Sequence, residues 1–467
     1  MAGSVAASPG INLTPTANKV ALPTNYITNF DFLNQYLPDT YADEFERYGN
    51  RSVASFLRLV GAELPTNSDM IKWAEQGRLH TKYTDCTISG TITGASQSVF
   101  TVGGGTCNFR ENQTVFLSDG AANISGKAVI SAVSGANFTV EWYKSGGQPA
   151  GFDVSLAITA FVYGSEFKKG SAGMKGSLDS EDSYFENKPI IIKEKYEVSG
   201  SDMTQIGWVN TTTESGGGGY YWYIKSEHDT RTRFEDYMEM SLVEGQTADN
   251  LSGAEGYLSS NTGGGNAGTE GLIESIQTRG NVWSGGNPSL LSDYDAMIER
   301  MDGQGQIREN VFFLNRGFSN DFSDMIAAQN GVGVGGMSYG LFNNSEDMAL
   351  NLGFDGFKRG YEFYKTDWKY LNDVSTRGGL VGGKVNGVMV PAGTMSIYDQ
   401  VMGENAKRPF LHVRYRESPT ESRKYKTWMN GGAGGAGTSD IDVMTVNFLT
   451  ERALCTMGAN NFFIMQD

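Results

Sequence analysis

Eight residues, Gly378-Gly-Leu-Val-Gly-Gly383-Lys384-Val385, nearly spell the phosphate loop G-x-x-x-x-G-K-S/T. In that loop backbone N–H groups cradle phosphates and the final hydroxyl ligands Mg²⁺. Here the last position is Val385, which has no hydroxyl, and the context reads as a β-hairpin with no helix after it. A plain glycine loop is the better reading. Gly331-Val-Gly-Val-Gly-Gly336 has the glycine density of a dinucleotide loop but follows a helical pattern instead of a strand, so it too reads as a flexible loop. Asp179, Glu181 and Asp182 could hold Ca²⁺, yet the alternation and closing glutamate of an EF-hand loop are missing. They read as a solvated acidic loop, or as a partner for a neighbour's basic patch. Arg423-Lys-Tyr-Lys-Thr-Trp428 interleaves cations and aromatics, as nucleic-acid platforms do. A sheet edge or a subunit contact accounts for it equally well.

His80, His228 and His412 lie far apart, and Cys86, Cys107 and Cys455 are odd in number and lack C-x-x-C spacing. Zinc, redox and disulfide frameworks are therefore not implied. No Ser/His/Asp, Cys/His or paired-carboxylate set assembles, so no catalytic, cofactor-binding or metal residue is assigned and no enzyme is expected.

The chain has 467 residues with a formal charge of −16, and 39% are hydrophobic. That is enough to bury a sizeable core, and the acidic balance argues against a dedicated nucleic-acid binder. Glycine, 61 residues, stands at about twice the roughly 7% of ordinary usage, which marks turns and loops where positive φ is needed. The N-terminus lacks the basic and apolar regions of a secretion signal, and no window approaches the about 18 apolar residues of a membrane span.

The elements that must position these residues change character along the chain. Residues 1–27 are small, polar and broken by Pro9, Pro15 and Pro23, as an extended arm would be. Val53, Phe56, Leu57 and Val60 have helical spacing, with Gly61 as the stop. Residues 86–162 carry short β-rich runs separated by Gly/Ser/Asn turns, predicting an inserted sandwich or barrel. Phe167–Gly176, the acidic run and Pro189–Val198 together suggest a long projecting hairpin. The strongest helix spans 226–244, with Phe234, Met238 and Leu242 on one face and Glu227–Arg231 and Asp229–Arg233 at i, i+4. Asn287-Pro288 looks like the start of an amphipathic helix, Asn310–Asn315 like a buried strand, and about 319–329 like another helix. Asn386-Gly387 signals a hairpin, while 411–416, 442–449 and 461–465 read as strands.

Four stretches then resemble a known family. Trp73-Ala-Glu-Gln-Gly-Arg-Leu-His80, Tyr163-Gly-Ser-Glu-Phe-Lys-Lys-Gly170, Gly200-Ser-Asp-Met-Thr-Gln-Ile-Gly-Trp208 and Leu352–Leu371 look like the major capsid proteins of tailed bacteriophages, most like those of crAss-like phages. The resemblance implies an α+β chain with the Hong Kong phage-type capsid fold and an inserted all-β domain. Residues 1–62 would be the N-terminal arm and helices, 63–85 and 160–196 the extended loop, and 86–159 the inserted β-domain. Residues 197–254, 341–374 and 406–467 would form the peripheral domain with its spine helix, Ser226–Glu244, and 255–340 and 375–405 the axial domain. By the same resemblance the chain would self-assemble into hexamers and pentamers of an icosahedral head around double-stranded DNA. Portal, auxiliary or decoration proteins would be its partners, with scaffolding supplied by a separate protein or absent. It would be assembled in the host bacterial cytoplasm and reside in the virion, with no membrane contact. The Lys–Asn crosslink of some relatives has no position here onto which it can be carried. Complementary charge makes Lys168, Lys169, Lys175, Arg231 and Arg233 the expected assembly contacts. The competing readings are a phage fibre or surface adhesin and, behind it, a carbohydrate-active enzyme with a β-rich binding module. Removal of residues 1–27 is expected to leave a folded chain that no longer forms shells, checked by circular dichroism and electron microscopy of the truncated protein; normal shells would contradict it.

Overall fold

The computed structural model describes residues 52–54, 56–57, 62–89, 95–152, 158–179, 182–206, 211–212, 218–219, 222–258, 267–305, 307–329, 356–399, 404–435 and 437–467. They fall into two units. The larger comprises described residues of Ser52–Lys195, Arg231–Met429 and Val446–Asp467, and the smaller those of Tyr196–Thr230 and Asn430–Thr445. The arm at 1–27, the Gly331–Gly336 loop and most of the helix expected after Ser52 lie outside the described residues.

The first strands are β1 (Glu63–Thr66) and β2 (Ile71–Gln76). A closed barrel follows, built from β3 (Lys82–Ile88), β4 (Gln97–Val102), β5 (Gln113–Asp119), β6 (Ile124–Ser134), β7 (Asn137–Trp142) and β8 (Ile158–Ser165) in the order β3-β4-β7-β6-β5-β8. Alternation explains it. In β4 Ser98, Phe100 and Val102 point inward, and in β7 Phe138 and Val140 do, so their side chains meet Val115, Leu117, Ile130 and Ile158 in one core. Phe100 stacks on Phe138 with centroids 5.4 Å apart. The β5–β6 turn is set by buried Asp119, whose carboxylate accepts the backbone N–H groups of Ala121 and Ala122 at 3.0 and 3.1 Å. Closure leaves no unpaired strand edge.

After the barrel come β9 (Asp182–Asn187) and β10 (Ile190–Ser199). They do not form the hairpin expected at 167–198. β9 pairs antiparallel with β2, and β10 joins a different sheet beside a C-terminal strand. Local pattern could suggest strands but not partners drawn from the far side of the barrel. Two short strands, β11 (Thr211–Thr212) and β12 (Gly218–Gly219), pair antiparallel ahead of the long helix Trp222–Glu244.

The rest of the larger unit centres on a six-stranded mixed sheet. It contains β13 (Asn281–Ser284), β14 (Glu309–Leu314), β15 (Gly356–Arg359), β16 (Tyr361–Asp367), β17 (Val385–Pro391) and, at the end of the chain, β23 (Phe463–Gln466), in the order β13-β23-β17-β14-β16-β15. The two-residue period sends neighbouring side chains into separate cores. Phe312, Leu314, Met389, Phe463 and Met465 face the helices Leu291–Gln304 and Arg316–Gln329, meeting Tyr294, Met297, Phe318 and Phe322. Phe313, Val388, Val390 and Ile464 face the other way, onto Phe56, Leu242, Trp368 and the helix Leu272–Arg279. A sheet covered on both faces reads as a near-continuous apolar run, as β17 does with every residue buried. The sheet draws β15, β16 and β23 from segments that the resemblance assigns to a peripheral domain.

Two expectations about turns fail for physical reasons. Asn386-Gly387 lies inside β17, at a bulge in its pairing with β23. Asn386 donates to Asp467 at 2.8 Å, and a Cβ on Gly387 would come within 2.7 Å of Leu314. The pair serves close packing, not a reversal of the chain. Nor does Asn287 cap the helix that follows. That helix opens at Leu290, where the Asp293 carboxylate accepts the N–H groups of Ser289 and Leu290 at 3.1 and 3.0 Å.

The last strands are β18 (Thr394–Asp399) with β19 (Glu404–Pro409), then β20 (Leu411–Arg416), β21 (Lys426–Gly431) and β22 (Val443–Thr456). β1, β20, β22 and β10 form a second sheet in that order, with β21 also on β22. In the smaller unit Ser199 caps the turn Gly200–Met203 by accepting from Asp202 N at 3.1 Å, and Gly200 N donates to Asp442 O.

Cys86, Cys107 and Cys455 are all buried as free thiols. Burial pushes Cys86 and Cys455 from an ordinary 9.0 up to about 12, Asp85 adding to the rise at Cys86. Each thiol holds its proton more tightly folded than unfolded. That contribution to stability is therefore present below about 9 and lost as the pH climbs towards about 12. Iodoacetamide at pH 8 is expected to modify none of the three until denaturant unfolds the chain, counted by intact-mass spectrometry. Labelling of the native protein would contradict the packing.

Candidate assembly surface

Among the described residues no group of three or more His, Cys, Asp or Glu side chains is placed to hold a metal ion. The Gly378–Val385 segment leaves a 3₁₀ turn at Arg377–Gly379 and enters β17, with Lys384 lying 3.4 Å from Asp467. Its position is set by Arg377, which clasps Glu244 at the end of the long helix and donates to Gly383 O at 2.8 Å. Tyr370 adds a 2.6 Å hydrogen bond to the same carboxylate. The loop presents Val381 at 97% exposure.

The basic–aromatic run is held inside the chain. Arg423 pairs with Glu451 at 2.6 Å, Lys424 with Glu63, and Lys426 with Glu421 at 2.7 Å. Arg452 joins the group at 3.4 Å from Glu63, burial holding its guanidinium below the ordinary value. Tyr425 packs on Phe234 and Phe448 at centroid distances of 5.5 and 6.5 Å. Carboxylates therefore already answer the cations that a phosphate backbone would need.

β2 and β9 form a two-stranded ribbon of their own, and its root packs on Ala453, Cys455 and Met457. Trp73 lies opposite Phe185 in the register. The Arg279 guanidinium sits 4.5 Å from the Phe185 ring centroid and 5.7 Å from that of Trp73, while pairing with Glu270 at 2.8 Å. Beside them Asn187, the last residue of β9, is buried and fully engaged. Its amide nitrogen donates to Glu270 O at 2.9 Å and Leu454 O at 2.6 Å. Its oxygen accepts from Lys188 N, Thr269 Oγ1 and Glu270 N at 2.8, 3.0 and 2.8 Å. Glu75 completes the root, accepting from Trp73 Nε1 at 3.0 Å and Gly458 N at 2.9 Å. Above it the ribbon is open: Tyr184 is 75% and Leu79, just past β2, 78% exposed.

A second junction lies where residues after 51 enter the larger unit. Asp236 and Glu239, one turn apart on the long helix, share a face. Asp236 accepts from Ser52 Oγ, Val53 N and Ala54 N at 2.8, 3.0 and 3.0 Å, and Glu239 from Phe56 N at 2.9 Å. Lys369 holds Ser52 O at 2.9 Å, and Phe56 inserts against Phe313 and Trp368 at 4.5 and 4.6 Å. Neither Asn187 nor this carboxylate pair was singled out from sequence. Their long-range partners are 82 to 267 residues distant, and no spacing announces them.

Of the expected contacts, Lys168 and Lys169 are exposed just past β8. Lys175 folds back onto the barrel, 2.7 Å from Glu111, with its side chain 79% exposed. Arg231 lies 3.8 Å from Glu235 and 5.9 Å from the Tyr425 ring centroid, and Arg233 is exposed. Lys168, Lys169 and Lys175 thus lie past β8, and Arg231 and Arg233 on the long helix. Exposed pairs of this kind contribute about 0–1 kcal/mol, so they can be exchanged for others.

No protein-family model and no curated protein matches the chain. Solved structures are similar in chain path. One from Microbacterium phage Oxtober96 has 10% identity and a TM-score of 0.38, covering 94% of this chain and 99% of that chain. The bacteriophage PhiM1 mature capsid gives 9%, 0.38, 92% and 91% for the same quantities. The capsid of cyanophage P-SCSP1u gives 7%, 0.40, 93% and 94%. At these TM-scores the likeness by itself establishes neither fold nor function.

Asn187→Ala is expected to lower stability by roughly 2–3 kcal/mol, because several buried backbone and hydroxyl groups lose their partner together. Urea unfolding and limited proteolysis of the ribbon would read this out. An unchanged midpoint with an unchanged cleavage pattern would contradict it.

Proposed function

We propose that this chain is the major capsid protein of a tailed bacteriophage, assembling as hexamers and pentamers around double-stranded DNA. The observation that carries the reading is the β2–β9 ribbon. A two-stranded ribbon is marginal by itself in water, yet this one is rigidly rooted and holds apolar residues outward. Covering Leu79 and Tyr184 with another copy of the chain gives that geometry a purpose. The four stretches that resemble capsid proteins support the same conclusion, and two of them, Trp73–His80 and Tyr163–Gly170, include or adjoin the ribbon and barrel.

In this reading the ribbon, with 63–85 and 160–196, is the extended loop and Trp222–Glu244 the spine helix. The barrel is an inserted domain, and the six-stranded sheet links axial and peripheral parts. Asp236 and Glu239 anchor Ser52, Val53, Ala54 and Phe56 to the long helix. The formal charge of −16 suits a wall that encloses DNA without gripping it. Interfaces built from loops and arms exceed the roughly 1,600 Å² of a standard complex, so individually weak charge pairs sum over many copies. Portal, auxiliary and scaffolding proteins would be further partners, and the virion the place of residence.

Sedimentation velocity tests this on the chain alone. Pentamers, hexamers or larger assemblies are expected. Lys168→Glu with Lys169→Glu should raise the concentration needed for assembly by about tenfold, since each exposed pair is worth up to about 1 kcal/mol. A monomer at all concentrations, or an unchanged assembly threshold in the double variant, would count against the proposal and its contacts respectively.

A further inference from the structure

The barrel carries a cleft that the assembly reading does not use. It has a volume of about 1000 Å³ and is bounded by β5, β6 and the loop that follows β7. That volume is at the upper end of the roughly 300–1,000 Å³ of small-ligand sites. Its walls combine aromatic faces, Phe116, Trp142 and Tyr143, with the lysines Lys127 and Lys144 and the hydroxyls of Ser125 and Ser145. Among the described residues no carboxylate lines it, in a chain with 53 acidic residues against 37 basic ones.

The aromatic floor is set in advance. The Trp142 indole donates to Ser98 Oγ at 2.8 Å, and Ser98 in turn donates to the buried Gln148 at 2.8 Å. Its ring lies across β6 at Gly126, where a Cβ would come within 2.4 Å of it. Phe152 supports it from behind at a centroid distance of 5.7 Å. Tyr143 is 48% exposed, and its hydroxyl is held by Glu166, so its ring is oriented while its face stays open. Lys127 lies 5.7 Å from the centroid of the Tyr163 ring, and among the described residues neither Lys127 nor Lys144 has an ion-pair partner.

Flat, rigid aromatic faces suit the apolar face of a pyranose ring, whose polar hydroxyls project at its edge. Hydroxyls and ammonium groups at the rim suit those edges, and two unpaired ammonium groups call for negative charge on the ligand. We infer that this cleft binds an acidic oligosaccharide, with the sugar ring stacked on Trp142 and Tyr143 and its carboxylate met by Lys127 and Lys144. A surface barrel with such a site would let the assembled chain adhere to uronate-bearing polysaccharide.

Calorimetric titration of the full chain with a hyaluronan tetrasaccharide, and with maltotetraose as the neutral control, tests this. Saturable binding of the acidic sugar is expected, at least about tenfold tighter than the neutral one, as loss of charge-assisted contacts implies. Lys127→Gln with Lys144→Gln should remove that preference, and Tyr143→Ala should weaken both sugars. Thermal unfolding of each variant shows whether the barrel is intact. If Tyr143→Ala loosens the barrel, the lysine variant still decides. No saturable binding of hyaluronan tetrasaccharide, or binding unchanged by the lysine variant, would overturn the inference. Equal affinity for both sugars would overturn its acidic class.

Discussion

The β2–β9 ribbon brackets the barrel in sequence, and its pairing is the constraint that organises much of what surrounds it. β2 and β9 must meet in register although a whole barrel separates them in sequence. Asn187 makes the meeting specific, because its amide bonds simultaneously to the segment at Thr269–Glu270 and to β22 at Leu454. Arg279 then closes the root from the side, with cation–π contact to Phe185 and an ion pair to Glu270. Both groups of that pair are mostly buried, so removing one would strand the other. The ribbon's direction is thereby tied to the body, while its upper part stays uncovered.

The same economy appears in the six-stranded sheet. Alternate residues of β14, β17 and β23 supply two cores at once, so Phe312 and Phe313, adjacent in sequence, belong to different clusters. The last strand, β23, lies between β13 and β17, and β22 between β20 and β10. The final stretch of the chain thus completes both sheets. The inward turn of Phe56, fixed by Glu239 and packed on Trp368, adds the start of the described chain to the same core.

Much of this was legible residue by residue, and little of it pair by pair. The short β-rich runs of 86–162 and the turns between them announced strands of a sandwich or barrel. The stripe of Phe234, Met238 and Leu242 announced the long helix, in which Phe234 and Leu242 are fully buried. Turn signals misled where glycine and asparagine served packing, as at Asn386-Gly387, or where a later carboxylate took over the cap, as Asp293 did. In β20 His412 and Arg414, on the polar face, are only 1% and 7% exposed. Period-two alternation reports two faces but not what covers them. Asn187, Asp236 and Glu239 left no local trace, since a side chain that bonds to residues 82 to 267 positions away has no characteristic spacing. The family resemblance carried information of another kind: it named an architecture without naming any of the bonds that hold this one.

The proposed function rests on what the fold leaves uncovered. Arg279, Arg377, Arg423 and Arg452 are matched by carboxylates, the three thiols are buried, and Tyr184 on the ribbon and Leu79 just past it are 75% and 78% exposed. Those features suit a subunit whose remaining interactions are with copies of itself. Electron microscopy of the purified, concentrated chain examines that claim most directly. The account predicts closed shells or rings with five- and six-fold capsomers; elongated fibres or monodisperse single particles would contradict it.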